Sequence, residues 1–139
     1  MKRSLFALAF MVMGASDGPT HVAQWNGESI ASLRAWISAA QDDALPRPNS
    51  TALDQAIAGR DPAAIDAAAD ALALKLARMH LLGIAPGSER IGWRIVDSDR
   101  SIDLEAQLKV ALAGGRLDDF LAGQRPQHPE YAVLRNAWK

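Results

Sequence analysis

The chain of 139 residues contains no cysteine, and this absence excludes two classes of protein. Without thiols it can neither form a disulfide scaffold nor use a thiolate as a nucleophile or metal ligand. Histidine is also scarce: His21, His80 and His128 lie far apart, and none has a second ligand at helical spacing. No serine lies in a Gly-x-Ser-x-Gly elbow. We therefore expect no catalytic residue, no metal site and no cofactor, and thus no enzyme.

The sequence also lacks a large excess of charge of either sign. The sequence has 15 basic and 16 acidic residues, and the basic residues are dispersed singly among the acids. Nucleic-acid binding requires several clustered Lys or Arg side chains that neutralise phosphates. We therefore expect that nucleic acid is not a partner of this protein.

Long hydrophobic runs are also lacking. The apolar stretch at 5–13 is well short of the roughly 20 residues that a membrane-spanning helix needs. It follows Lys2-Arg3 and precedes small residues, which is the pattern of a secretory signal peptide. We predict a cleavable signal peptide at 1–16, a flexible mature N-terminus at 17–28, a periplasmic location and no membrane span after cleavage.

Apolar residues, which make up 49% of the sequence, recur every three or four positions through most of the chain. This spacing is typical of helices that bury one face. It predicts an all-α fold, a single compact bundle of five to six helices over 29–139, with a short extended strap at 92–96. The predicted helices span 29–45, 51–59, 62–83, 102–113, 117–121 and 129–138.

Capping residues define where these helices begin and end. Asp61 before Pro62 predicts the start of the longest helix, and Gly83 predicts its end. Gly59 is expected to close the short helix before it, since glycine tolerates a left-handed exit. Ser101 is the expected cap of the helix at 102–113.

Polar side chains on these helices are interpreted as structural. His80 is expected to be a partly buried core histidine that is hydrogen-bonded to the backbone. Tyr131 should pack its ring inward and bond its hydroxyl to the backbone or to an acid. Arg135, one turn later, is a candidate for an ion pair with Asp118 or Asp119.

Two pairs of adjacent acids, Asp42-Asp43 and Asp118-Asp119, suggest an acid and base for catalysis. Neighbours in a helix point about 100° apart, however, so they would not converge on one substrate atom. We therefore interpret both pairs as exposed helix surface.

The four tryptophans are the best candidates for contact with a glycan or a partner. Trp36 and Trp93 lie at apolar-periodic or strap positions and are expected in the core. Trp25 and Trp138 lie near the two ends and are freer to make surface contacts. With Arg135, they form the predicted interaction surface.

Five segments carry a resemblance to a known family. They are LRAWISAA at 33–40, DPAAID at 61–66 with MHLLGI at the end of the same helix, GWRI at 92–95, the stretch 108–121, and PQHPEY at 126–131 followed by Leu134-Arg135. Their order and spacing resemble the scaffold domain of YcbB-type murein L,D-transpeptidases. In proteins of that kind, this block cradles a peptidoglycan-binding module and a YkuD-type catalytic domain. No segment of this sequence matches the cysteine motif of that catalytic domain.

The resemblance implies a non-catalytic periplasmic scaffold, a monomer that docks to an envelope protein or to a peptidoglycan-remodelling enzyme. Two alternatives stay open. The chain could be a fragment or remnant of a full-length L,D-transpeptidase, or it could be a helical module that binds peptidoglycan or another glycan.

Overall fold

The computed structural model describes residues 24–84 and 102–139, which form six α-helices and one 3₁₀ helix, without a strand among these residues. The prediction of an all-α fold is confirmed. The predicted signal peptide, Trp93 and the strap at 92–96 lie outside the described residues. The helices are α1 (Gly27–Ala39), the 3₁₀ helix (Ala40–Asp43), α2 (Thr51–Gly59), α3 (Pro62–Leu82), α4 (Leu104–Ala113), α5 (Leu117–Gly123) and α6 (Pro129–Trp138).

Helix α1 begins two residues before the predicted Ser29, because Asn26 and Ser29 cap each other. The Asn26 side chain accepts a hydrogen bond from the Ser29 amide at 2.8 Å. In return, the Ser29 hydroxyl accepts one from the Asn26 amide at 3.0 Å. This reciprocal pairing satisfies backbone donors that the first turn of a helix otherwise leaves free.

Trp25, which we expected to be free for surface contacts, is only 4% exposed. The buried carboxylate of Asp66 on α3 accepts hydrogen bonds from the Gln24 and Trp25 amides, at 2.8 and 3.0 Å. The Trp25 indole donates to Asp70 Oδ1 at 2.8 Å. Trp25 therefore joins the start of α1 to α3 and does not belong to an accessible surface, and packing begins within the segment predicted to be flexible.

The turn between α2 and α3 differs by one residue from the prediction. Arg60, with a φ of 54°, takes the left-handed conformation that we assigned to Gly59, which remains helical. This later turn brings Asp61 to the N-cap of α3, where its side chain accepts from the amides of Ala63 and Ala64. The cap satisfies two otherwise unpaired amides, and this compensates for the strain at Arg60.

The longest helix, α3, lies at the centre of the bundle and packs against α1, α2, α4 and α5. Ala69, Ala73 and Ala77 have no exposed surface, and such small side chains let the neighbouring helices approach closely. Two polar residues, Asp66 and His80, are buried with them. Gly83 ends the helix with a φ of 75°, as predicted.

Helix α4 begins at Leu104, later than predicted, because Asp103 is its cap. The Asp103 side chain accepts from the Ala106 amide at 2.9 Å, and the predicted cap, Ser101, lies outside the described residues. Gly115 has a φ of 64° in the turn that leads to α5. Among the described residues, no helix combines the length and the apolar composition needed to cross a membrane.

Candidate interaction site

Helix α6 contacts the bundle with polar side chains and leaves apolar side chains exposed, which is the reverse of the usual orientation of a surface helix. None of its ten residues is buried. Its largest apolar side chains face solvent instead: Val133 and Leu134 are each 68% exposed, and Trp138 is 66% exposed. We call Val133 and Leu134 the outer face of α6; Trp138, although exposed, also contacts the bundle through its indole N–H. The helix is held by polar contacts on its other side.

The centre of those contacts is the carboxylate of Asp43, whose side chain has no exposed surface. Arg125 donates to its Oδ2 from Nη2 at 2.7 Å and from Nε at 3.2 Å. Its Oδ1 accepts from the Tyr131 hydroxyl at 2.7 Å and from Arg135 Nε at 2.5 Å. The prediction that Asp43 lies on an exposed helix surface is therefore wrong, and Arg135 pairs with this acid and not with Asp118 or Asp119.

The ionisation of the cluster follows from these contacts. Burial acts to raise the pKa of Asp43, but the hydrogen bonds from Tyr131, Arg125 and Arg135 outweigh it, and the pKa lies below the ordinary 3.8. Burial and the bond to Asp43 raise the pKa of Tyr131 to about 12. At neutral pH, Asp43 is therefore an anion, and Tyr131 is a neutral donor as predicted.

Further polar contacts extend along the 3₁₀ helix. The Trp138 indole donates to the Gln41 carbonyl at 2.9 Å. Arg135 Nη2 and Lys139 Nζ each lie 3.5 Å from Asp42 Oδ2. The pairs to Asp42 are partly open to water and should each contribute at most about 1 kcal/mol, so the buried Asp43 contacts dominate the attachment.

A layer of aromatic side chains lies under the cluster. The Arg125 guanidinium lies over the Trp36 ring, 4.2 Å from its centroid. The edge of the same indole meets His80, with the ring centroids 5.9 Å apart. Trp36 Nε1 donates to Asp118 Oδ1 at 2.6 Å, so Asp118 orients this indole instead of pairing with an arginine of α6.

His80 is 5% exposed, and neither ring nitrogen has a hydrogen-bond partner among the described residues. Its predicted burial is confirmed, but the predicted bond to the backbone is not formed. Burial is the main cause that lowers its pKa below 6.5; the charges of Arg125 and Arg135 act in the same direction, and Asp43 acts against them.

A family model described as a scaffold domain matches residues 21–137, which is most of the chain. The chain belongs to the scaffold-domain family of L,D-transpeptidases. Comparison with curated proteins and with solved structures found no match.

The scaffold domain brings together two of the three residues predicted for an interaction surface. Arg135 and Trp138 both lie on α6, whereas Trp25 is buried against α3. Sequence reasoning missed Asp43 as the partner of Arg135, Gln41 as that of Trp138, and Arg125 as the second guanidinium bound to Asp43. The spacing of Tyr131 and Arg135, one turn apart on a helix, was the only local signal that these two side chains share a target.

The cluster can orient a helix, but it offers little for chemistry. Both oxygens of Asp43 are occupied by donors, and guanidinium groups stay protonated, so no group in the cluster is available as a general base. In the part of the chain that the structure describes, no three His, Asp or Glu side chains are grouped so that they could hold a metal ion.

Proposed function

We propose that this scaffold domain acts in the periplasm without catalysing a reaction, and that it docks through the outer face of α6 to a peptidoglycan-remodelling enzyme. The partner that we propose is the catalytic domain of an L,D-transpeptidase. The observation that carries the proposal is the orientation of α6. Its polar side chains contact the bundle, while Val133 and Leu134 remain exposed to solvent.

The polar contacts of α6 explain why its apolar side chains remain exposed. A surface helix normally buries its apolar face, because removing that surface from water stabilises the fold. In α6, the Asp43 cluster uses Tyr131 and Arg135 to hold the opposite face inward. Two adjacent apolar side chains that are held towards solvent in this way are candidates for a protein contact.

Membership of the scaffold-domain family supports the choice of partner. The resemblance described above implies that such a block cradles a YkuD-type catalytic domain. By analogy, this chain would contact such a domain through the outer face of α6.

The test is a calorimetric titration of the purified mature chain with a separately produced L,D-transpeptidase catalytic domain. Leu134→Asp should weaken binding at least about tenfold, which is ~1.4 kcal/mol, because it places a charge in the contact. Val110→Asp is the matched control: Val110 is also exposed, at 62%, but it lies on α4. Absence of binding by the unchanged chain, or equal weakening by both variants, would contradict the proposal.

Trp138 favours a second candidate, a module that binds peptidoglycan glycan. Its ring is 66% exposed, and its indole N–H is already satisfied by the Gln41 carbonyl. The indole is therefore anchored at its N–H while most of the residue stays accessible for contact with a sugar. Saturable quenching of tryptophan fluorescence by muropeptides, lost in Trp138→Phe, would support this candidate, and a flat response would contradict it.

A further inference from the structure

A buried histidine lies next to the cluster that attaches α6. His80 is 5% exposed, and both of its ring nitrogens lack a hydrogen-bond partner among the described residues. Leaving a buried polar atom unpaired destabilises a fold, so most buried polar groups are paired and each exception needs a reason. An apolar side chain of similar size would fill the same space without that penalty.

The charged groups that act on His80 come from three different parts of the fold. They are Asp43 on the 3₁₀ helix, Arg125 after α5 and Arg135 on α6. Asp42 lies 3.5 Å from Arg135 and balances part of the positive charge, so burial is the main reason that the imidazolium is disfavoured. Its nearest aromatic neighbour is Trp36 of α1, on which Arg125 also stacks. The site therefore accommodates the neutral imidazole and disfavours the imidazolium.

We infer that His80 is a pH-sensitive switch, and that protonation of its ring weakens the attachment of α6 to the 3₁₀ helix. An imidazolium would add a positive charge near the Arg125 and Arg135 guanidiniums. Its charge would also attract the Asp43 carboxylate, which already binds Arg125, Tyr131 and Arg135. Of the two guanidiniums that it repels, only that of Arg135 belongs to α6.

The direction of the pH dependence follows from the docked and undocked states. The pKa of His80 is below 6.5 while α6 is docked, mainly because the ring is buried. On undocking, the ring loses the neighbouring charge of Arg135, which acts to lower its pKa, so the pKa rises towards the ordinary value. The undocked state therefore binds the proton more tightly. Docking is fully stable above about pH 6.5, and each unit below it multiplies the undocked-to-docked ratio by up to about ten, until the docked-state pKa is reached.

This switch would regulate the helix used by the proposed function, but it does not depend on a partner. Its test uses the isolated chain, so the two proposals can fail separately. Protonation of Asp43 would also release α6. That carboxyl has its pKa held below 3.8, so its effect belongs to a much more acidic range.

The experiment is an NMR titration of the mature chain from pH 7.5 to 5. The Trp138 indole N–H reports docking, because it donates to the Gln41 carbonyl. We expect its resonance to move towards that of a solvent-exposed indole as the pH falls, in step with the His80 ring resonances. A Trp138 signal that stays constant over this range, or that moves while the His80 ring does not titrate, would overturn the inference.

Two variants separate His80 from the other histidine near α6. The side chain of His128 is 71% exposed, and its Nδ1 accepts from the Glu130 amide at the start of α6, so this histidine also contacts the helix. In His80→Gln the transition should disappear, and in His128→Gln it should persist. The opposite result would assign the transition to the cap and overturn the inference. If His80→Gln does not fold, the comparison of the Trp138 and His80 resonances in the unchanged chain decides the question.

Discussion

Asp43 illustrates how one buried charge can attach a helix that contributes nothing to the core. Its carboxylate has no exposed surface, and it is bonded to side chains from two separate segments of the chain. Removing one partner of a buried ionic cluster is costly, because the remaining charges stay desolvated without compensation.

Asp43→Asn is therefore expected to lower the free energy of unfolding by about 3 kcal/mol, which is at the lower end for a broken buried pair because both guanidiniums keep partial access to water. The adjacent Asp42→Asn is the matched control. Its carboxylate is 42% exposed and pairs with Arg135 and Lys139 at 3.5 Å, so the loss should stay below about 1 kcal/mol. Urea denaturation measures both, and similar losses in the two variants would contradict this account of the cluster.

The same residue predicts an acid sensitivity. Because the pKa of Asp43 is lower in the folded protein than the ordinary 3.8, its stabilisation is present above that value and is lost as pH falls towards the folded pKa. Below about pH 4, the original chain should therefore lose stability more steeply than Asp43→Asn. If the free energy of unfolding falls with pH equally steeply in the two proteins, the Asp43 carboxyl does not cause the acid sensitivity.

Helix α6 is structurally separable from the core of the bundle. It buries no residue, whereas every other α-helix buries at least one apolar side chain in the core. Its attachment depends on the Asp43 cluster and on the Trp138 bond to Gln41. The core that surrounds α3 should therefore persist without it.

Removal of residues 128–139 should leave a chain that still unfolds cooperatively, with a loss close to that of Asp43→Asn, about 3 kcal/mol. Adding Asp43→Asn to the truncated chain should cost less than it does in the original chain, because Tyr131 and Arg135 are already gone and only the Arg125 pair remains, worth at most about 1 kcal/mol once it is open to water. Circular dichroism during urea denaturation measures both effects. An unfolded truncated chain, or fully additive losses, would show that α6 supports the core directly.

Around α3, the bundle is held by close packing of apolar side chains from α1, α2, α4 and α5. Leu76 lies at this centre with no exposed surface. Leu76→Ala should lower the free energy of unfolding by about 3 kcal/mol, because it removes buried methyl groups and leaves a cavity. Leu134→Ala, at a position that is 68% exposed, should cost less than about 0.5 kcal/mol. Thermal denaturation of both variants checks this, and an equal loss would mean that Leu134 is covered in solution.

The sequence by itself determined the helices and most of their ends, since these depend on residues three or four positions apart. Asp61 with Pro62 and Gly83 define α3 through capping bonds that are local in the chain. The errors in that description, at Arg60 and Asp103, are shifts of one or two residues, which arise because adjacent residues can serve as caps with similar free energies.

Only the tertiary structure decided which polar side chains meet. Arg135 donates a hydrogen bond to Asp43, 92 residues away in the sequence, and the Trp25 amide donates one to Asp66, 41 residues away. Several acids were equally plausible partners for Arg135, because charge attraction does not depend on separation in the sequence. Which acid it meets is decided only when packing brings the helices together. Packing also leaves Val133 and Leu134 exposed to solvent, since the buried carboxylate of Asp43 binds Tyr131 and Arg135 on the other side of α6.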